Sequence, residues 1–146
     1  MELAATPVQL SQGMWASGIF LNCNVYADCD VGCTYCFARL NRKAKGGSGG
    51  THGEIGGIQT LSRILNRAMG SEYDATNPLQ WCIHHRRPVM LSNNSDPLCH
   101  AEVEHGHTLE YLKLFAAHGI PMLLLTKAAA WAHLDQDRYL DVLKST

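Results

Sequence analysis

Three short apolar runs that do not alternate with polar residues punctuate the chain: Gly18-Ile-Phe-Leu-Asn22, Val89-Met-Leu-Ser92 and Ile120-Pro-Met-Leu-Leu-Leu-Thr126. Strands covered on both faces read this way, and such strands are characteristically parallel. Between the runs the period lengthens to that of a helix. Ile58, Leu61, Leu65 and Ala68 fall on one helical face, Met69 packs beside them, and Gly70 is placed to end the helix. Leu109, Leu112, Phe115 and Ala116 form a second stripe, with Thr108 as its expected N-cap, His118 at the negative end of the helix and Gly119 as its stop. A last amphipathic helix spans Asp135 to Lys144, offering Leu134, Tyr139, Val142 and Leu143 for burial. Residues before Gly18 read as a polar N-terminal segment, and Ser71 to Pro78 as a loop.

The order strand, helix, strand, helix, strand, helix predicts an α/β protein of about three right-handed βα units. Its first crossover is interrupted. Cys36 to Asn41 turns into a helix that Gly46-Gly-Ser-Gly-Gly50 cannot continue, because glycine is costly in a helix and the run acts as a tether. A single domain over 1–146 therefore divides into a first strand and following loop (18–45), a Gly-rich insertion (46–57) and the remaining βα units (58–146).

Composition narrows the class. The chain is 46% hydrophobic with a formal net charge of -1, and its apolar runs are too short to cross a membrane. Met1 to Leu10 has neither a basic leader nor a long apolar core, so a reducing cytoplasm with available thiols is expected. Near-neutral charge argues against a strongly electrostatic nucleic-acid binder. Arg39, Arg42, Lys43 and Lys45 form a local basic group whose ordinary explanation is a solvated helix end or loop.

The cysteines carry the chemistry. Cys29, Cys33 and Cys36 stand at Cys-x-x-x-Cys-x-x-Cys spacing, with Gly32 and Thr34 letting the loop curl between them. Three thiolates can wrap one face of a cubane 4Fe-4S cluster, whereas a structural cluster takes four. One iron then lacks a protein thiolate, as a three-ligand catalytic zinc keeps an open position. Two plainer readings stay open, a non-catalytic iron-sulfur module and a zinc site. Cys33 and Cys36 supply half of a zinc pattern, but Cys23, Cys82 and Cys99 are isolated and no second pair follows. Cys23 and Cys99 are read as buried thiols. His100, Glu102, Glu104, His105 and His107 match no closed zinc pattern and read as solvent-facing polar residues. His84 and His85 read as surface or packing residues.

Ligands of parallel α/β sheets sit at the carboxyl ends of the strands. The polar run Asn93-Asn-Ser-Asp-Pro97 follows the second strand directly, and Thr126-Lys127 follows the third. An Asx-turn with a helix cap explains the first without a ligand, and a solvated lysine explains the second.

The cysteine spacing, with aromatic Tyr35 directly before the last cysteine, resembles the signature of the radical S-adenosylmethionine (radical SAM) enzymes. The resemblance implies that Cys29, Cys33 and Cys36 hold a 4Fe-4S cluster whose open iron binds the amino and carboxylate groups of SAM, and that one electron cleaves SAM to methionine and a 5'-deoxyadenosyl radical. Tyr35 would lie near the adenine. Asn24-Val-Tyr-Ala-Asp-Cys29 resembles the Asn-Pro-Tyr-x-Gly-Cys lead-in of the subgroup containing the spore photoproduct lyases, with Val25 and Asp28 in place of proline and glycine. Asn93 to Pro97 falls where the family carries Gly-Gly-Glu-Pro, which implies Asn94, Ser95 and Asp96 as SAM contacts. Lys127 would pair with the SAM carboxylate.

The family fold is a partial TIM-like (βα) barrel. A full eight-unit barrel takes about 250 residues, so six units need on the order of 190. At 146 residues the chain is expected to hold the N-terminal half of the core. Implied partners are an electron donor such as a flavodoxin or ferredoxin, and a complementary C-terminal half or second copy to cover the open sheet edge. The subgroup likeness extends to nucleic-acid lesions as a substrate class.

Overall fold

The computed structural model describes residues 6–11, 18–38 and 56–145. Four three-residue strands form one sheet: β1 (Val8–Leu10), β2 (Leu21–Cys23), β3 (Val89–Leu91) and β4 (Met122–Leu124), in that spatial order. β1 runs antiparallel to β2, while β2, β3 and β4 are parallel. Five α-helices are present among the described residues: α1 (Ile58–Met69), α2 (Pro78–His84), α3 (His100–His105), α4 (His107–Ala117) and α5 (Gln136–Lys144). The protein is thus a mixed α/β fold built on an open, mixed four-stranded sheet. The Gly-rich run at 46–50, the basic group at 39–45 and most of the helix expected after Cys36 lie outside the described residues.

Register sorts the strand residues by face. Leu21, Val89 and Met122 are paired in a row, as are Cys23, Leu91 and Leu124. Both rows join one apolar core with Leu61, Leu65 and Ala68 of α1, Ile83 of α2, and Leu112 and Phe115 of α4. The row between them, Asn22, Met90 and Leu123, points to the other face. α1 packs on α2 and α4, and α4 on α5. The expected stripe of α1 is buried as its period requires, and Gly70 is its C-cap, a position that admits no side chain because a Cβ there would stand 2.7 Å from the carbonyl oxygen of Asn66.

Several expectations need correction. The N-terminal segment contributes β1, whose Val8 is fully buried, because an edge strand of three residues shows no readable period. The loop expected over Ser71 to Pro78 ends one residue earlier, and Pro78–His84 is a helix that the sequence reading does not assign. Asn77 caps it, its Oδ1 accepting from Leu79 N (3.0 Å) and Gln80 N (3.1 Å), and Pro78 occupies the first turn, where its missing N–H costs nothing. Thr108 does not cap α4. Gly106, in the left-handed region (φ 66°), holds that position between α3 and α4, and the Thr108 hydroxyl instead donates to the Pro97 carbonyl at 2.6 Å. β4 is not covered on both faces: it is the sheet edge, with Leu123 37% and Leu125 56% exposed. No helix among the described residues is long and apolar enough to cross a membrane.

Leu65→Ala removes a fully buried side chain from the α1 stripe and is expected to lower stability by about 2–5 kcal/mol, whereas Gln59→Ala, on the exposed face, should change it by no more than about 0.5 kcal/mol. Urea denaturation of both variants checks this, and equal losses would contradict the assigned helix face.

Candidate functional site

Each parallel strand ends in a polar segment on the same side of the sheet, and these segments are tied to one another. At the end of β2, Cys23 accepts from Ser92 N at 2.6 Å, and Asn24 Oδ1 accepts from Asn94 N at 3.1 Å. Val25 and Tyr26 are fully buried, anchoring the start of the cysteine loop. The loop then turns outward. Asp28 Oδ1 accepts from Cys29 N (2.7 Å), Asp30 Oδ1 accepts from His100 N at the start of α3 (3.2 Å), and Gly32 supplies the left-handed residue (φ 71°) that a side chain would strain. Cys36 N donates to the Cys33 carbonyl at 3.3 Å, closing the turn that carries the last two thiols.

Asp96 joins the loop after β3 to the loop after β4. Its Oδ1 accepts from Leu98 N (2.9 Å) and from the Thr126 hydroxyl (2.8 Å), and its Oδ2 accepts from Lys127 N (2.7 Å). The bond to Leu98 is an Asx-turn, so this residue does the local work that needs no ligand and a cross-strand task as well. Lys127 Nζ stands 4.4 Å from the centroid of the Tyr35 ring, a cation over a π face, and Tyr35 is 70% exposed.

These segments enclose a cavity of about 350 Å³. Cys29, Cys33, Cys36 and Tyr35 line it from the β2 loop, Asn94, Ser95 and Asp96 from the β3 loop, and Leu125, Thr126 and Lys127 from the β4 end. Every site residue expected from the sequence borders this one space. Met90, pointing away from the helix-covered face of the sheet, also lines it. A larger groove of about 700 Å³ lies between Thr6 and the Arg63 to Glu72 stretch, but no cysteine borders it.

Electrostatics separates the thiols. Burial raises the pKa of Cys29, and the backbone of Val31 and of Asp96 opposes that rise. Burial pushes Cys99 up from 9.0 to about 12, with the negative charge of Asp30 adding to it, and burial likewise raises Cys23 and Cys82. Lys127 is held above its ordinary value, first by the Tyr35 hydroxyl and to a smaller degree by Cys33 and Cys36.

Among the described residues no three His, Cys, Asp or Glu side chains converge as a single metal ion requires. A cubane distributes its thiolates over different irons, so its ligands need to border one space rather than meet at a point. The donor chemistry fits that group: three thiols share a cavity wall, and the Ser95 hydroxyl is buried in the same wall with no hydrogen-bond partner among the described residues. An unsatisfied buried hydroxyl costs about 1–3 kcal/mol, which a polar ligand group would offset.

No family model, curated protein or solved structure matches the chain. The geometry therefore stands on the residues themselves.

Sequence reasoning missed two contributors and misjudged a third. Asn24 and Asp30 pin the cysteine loop through bonds to residues 70 positions away, which no local pattern signals. Glu102, expected to face solvent, is 1% exposed. Its carboxylate accepts from the Tyr26 and Tyr139 hydroxyls and from Thr108 N and Leu109 N, so it lies inside the protein as a hub. His84 stacks on Tyr73 and His85 on Trp81, as packing residues do.

The buried thiols set a pH dependence. A thiol whose folded pKa is raised from 9.0 to about 12 stabilises the fold fully below 9 and loses that contribution as pH rises through 12. The urea midpoint is expected to fall as pH increases across this window, less steeply in Cys99→Ala. Identical slopes for the two proteins would show that Cys99 does not ionise on unfolding as its burial requires.

Proposed function

We propose that the chain is the N-terminal βα half of a radical SAM core, in which Cys29, Cys33 and Cys36 hold a 4Fe-4S cluster and the surrounding cavity receives S-adenosylmethionine. The observation that carries this reading is the gathering of three separate stretches, the cysteine loop, Asn94 to Asp96 and Lys127, around one cavity at the carboxyl ends of parallel strands. When bound, a reduced cluster with one open iron supplies the electron that cleaves SAM and starts radical chemistry.

The protein's share is binding, orientation and exclusion of solvent. The backbone of Val31 and of Asp96 favours the Cys29 thiolate against the effect of burial, as a ligand to iron requires. The Ser95 hydroxyl and the side chain of Asn94 offer hydrogen bonds to the polar end of SAM. Asp96, engaged by three protein donors, acts chiefly by holding the Thr126–Lys127 turn against the β3 loop. Lys127 presents a positive charge suited to the SAM carboxylate, and the exposed face of Tyr35 beside it suits a planar base. Val31, Met90 and Leu125 supply apolar walls.

The consecutive parallel order of β2, β3 and β4 supports the partial-barrel expectation, with β1 as an added antiparallel edge. The edge of β4, which pairs with no further strand among the described residues and exposes Leu123 and Leu125, fits continuation by a complementary half or a second copy. A flavodoxin or ferredoxin would supply the electron. Lesion-bearing nucleic acid as substrate rests on the subgroup resemblance alone.

Anaerobic reconstitution with iron and sulfide, followed by reduction and electron paramagnetic resonance, tests the reading. The wild-type chain should give a reduced 4Fe-4S signal that shifts when SAM is added, and Cys33→Ala should lose it. A signal indifferent to SAM would favour a non-catalytic iron-sulfur module, and stoichiometric zinc with no cluster would sink the enzyme reading.

A further inference from the structure

Glu102 is a buried carboxylate that the proposed chemistry leaves unused, and it lies beside the cysteine loop. Its two oxygens divide four donors between them. Oε2 receives the Tyr26 hydroxyl and Thr108 N (2.7 Å), while Oε1 receives the Tyr139 hydroxyl and Leu109 N (3.0 Å). A carboxylate held at 1% exposure is tolerable because every side of it is met by a donor. The donors come from three separate parts of the chain. Tyr26 precedes Cys29 by three residues, Thr108 and Leu109 open α4, and Tyr139 belongs to α5.

α3 grips the cysteine loop twice, since His100 N also donates to Asp30, the residue after Cys29. The loop is thus held on both sides of its first thiol by one six-residue helix. Glu102 further ties that helix to α5, whose Tyr139 is 4% exposed and packs its ring edge-on against Trp131. A displacement of α5 would move Tyr139, and with it the acceptor to which Tyr26 is bound.

We infer that Glu102 is a positioning residue that sets the cysteine loop through Tyr26, and that Tyr139 makes the seating of α5 part of that setting. The inference deepens the radical SAM reading and rests on it for the identity of the group bound by the loop. It distinguishes itself from a purely local role at one residue. The Tyr139 hydroxyl donates to Glu102 rather than to a residue of the cysteine loop, so its loss reaches Cys29 by way of Glu102, through Tyr26 on one side of the thiol and through α3 and Asp30 on the other.

The test uses Tyr26→Phe and Tyr139→Phe in the full chain, each removing one hydroxyl and keeping the ring, because a change at Glu102 itself strips four donors at once. In the metal-free protein, alkylation of each cysteine by iodoacetamide is followed by mass spectrometry. Loss of one hydrogen bond should raise the alkylation rate of Cys29 about fivefold in both variants while buried Cys23 and Cys82 stay protected. After reconstitution, the g-values of the reduced cluster should shift in both variants. A wild-type Cys29 rate in Tyr139→Phe overturns the inference, as does loss of protection at Cys23 and Cys82 in step with Cys29, which would make the network a support of the whole fold. Should the wild-type chain assemble no cluster, the radical SAM reading fails while the alkylation arm still decides whether Tyr139 acts on the loop.

Discussion

The carboxylate of Asp96 is the constraint on which the site depends. Strands of three residues provide few ladder bonds, and the loops that follow them are free to splay unless something gathers their ends. Asp96 does so with two hydrogen bonds across to the neighbouring strand, from the Thr126 hydroxyl and Lys127 N, while a third, from Leu98 N, fixes its own loop. Hydrogen bonds to a charged group contribute about 1.5–3 kcal/mol each, a large fraction of the stability of a domain this size. One residue thereby joins two of the three walls of the cavity, those of the β3 and β4 loops.

The arrangement divides labour between the two faces of the sheet. Leu21, Cys23, Val89 and Leu91 lock the sheet to the helices, and the strand ends then deliver their loops to a common point. Rigid packing below and hydrogen-bonded loops above let short, polar segments hold thiols and a lysine in fixed relation. Lys127 over Tyr35 shows the outcome: a charge from the β4 end meets an aromatic ring from the β2 loop, 92 residues earlier in the chain.

Much of this was legible in the sequence, for identifiable reasons. The α1 stripe is long enough for its period to be unambiguous, and the apolar runs around β2, β3 and β4 lack alternation as parallel strands do. The grouping of Asn94 to Asp96 and Lys127 with the cysteines around one cavity was legible because ligands gather at the carboxyl ends of parallel strands. Three-residue β1 and six-residue α3 carry too few positions to show a period. For α2 a signal exists, Asn77 and Pro78 at N-cap and first-turn positions, but the sequence reading takes Pro78 as the end of a loop and assigns no helix there. Glu102 was misjudged because its hydroxyl partners lie 76 and 37 residues away, and among His100, Glu104, His105 and His107 a carboxylate looks solvated unless those partners are known.

The central claim is that three protein thiolates leave one iron open to SAM. Mössbauer spectroscopy of the chain reconstituted with isotopically enriched iron tests it most directly, because it resolves inequivalent irons within one cluster. The account predicts one iron distinct from the other three, with parameters that move when SAM is added. Irons that stay indifferent to SAM, or iron that never assembles into a cluster, would contradict it.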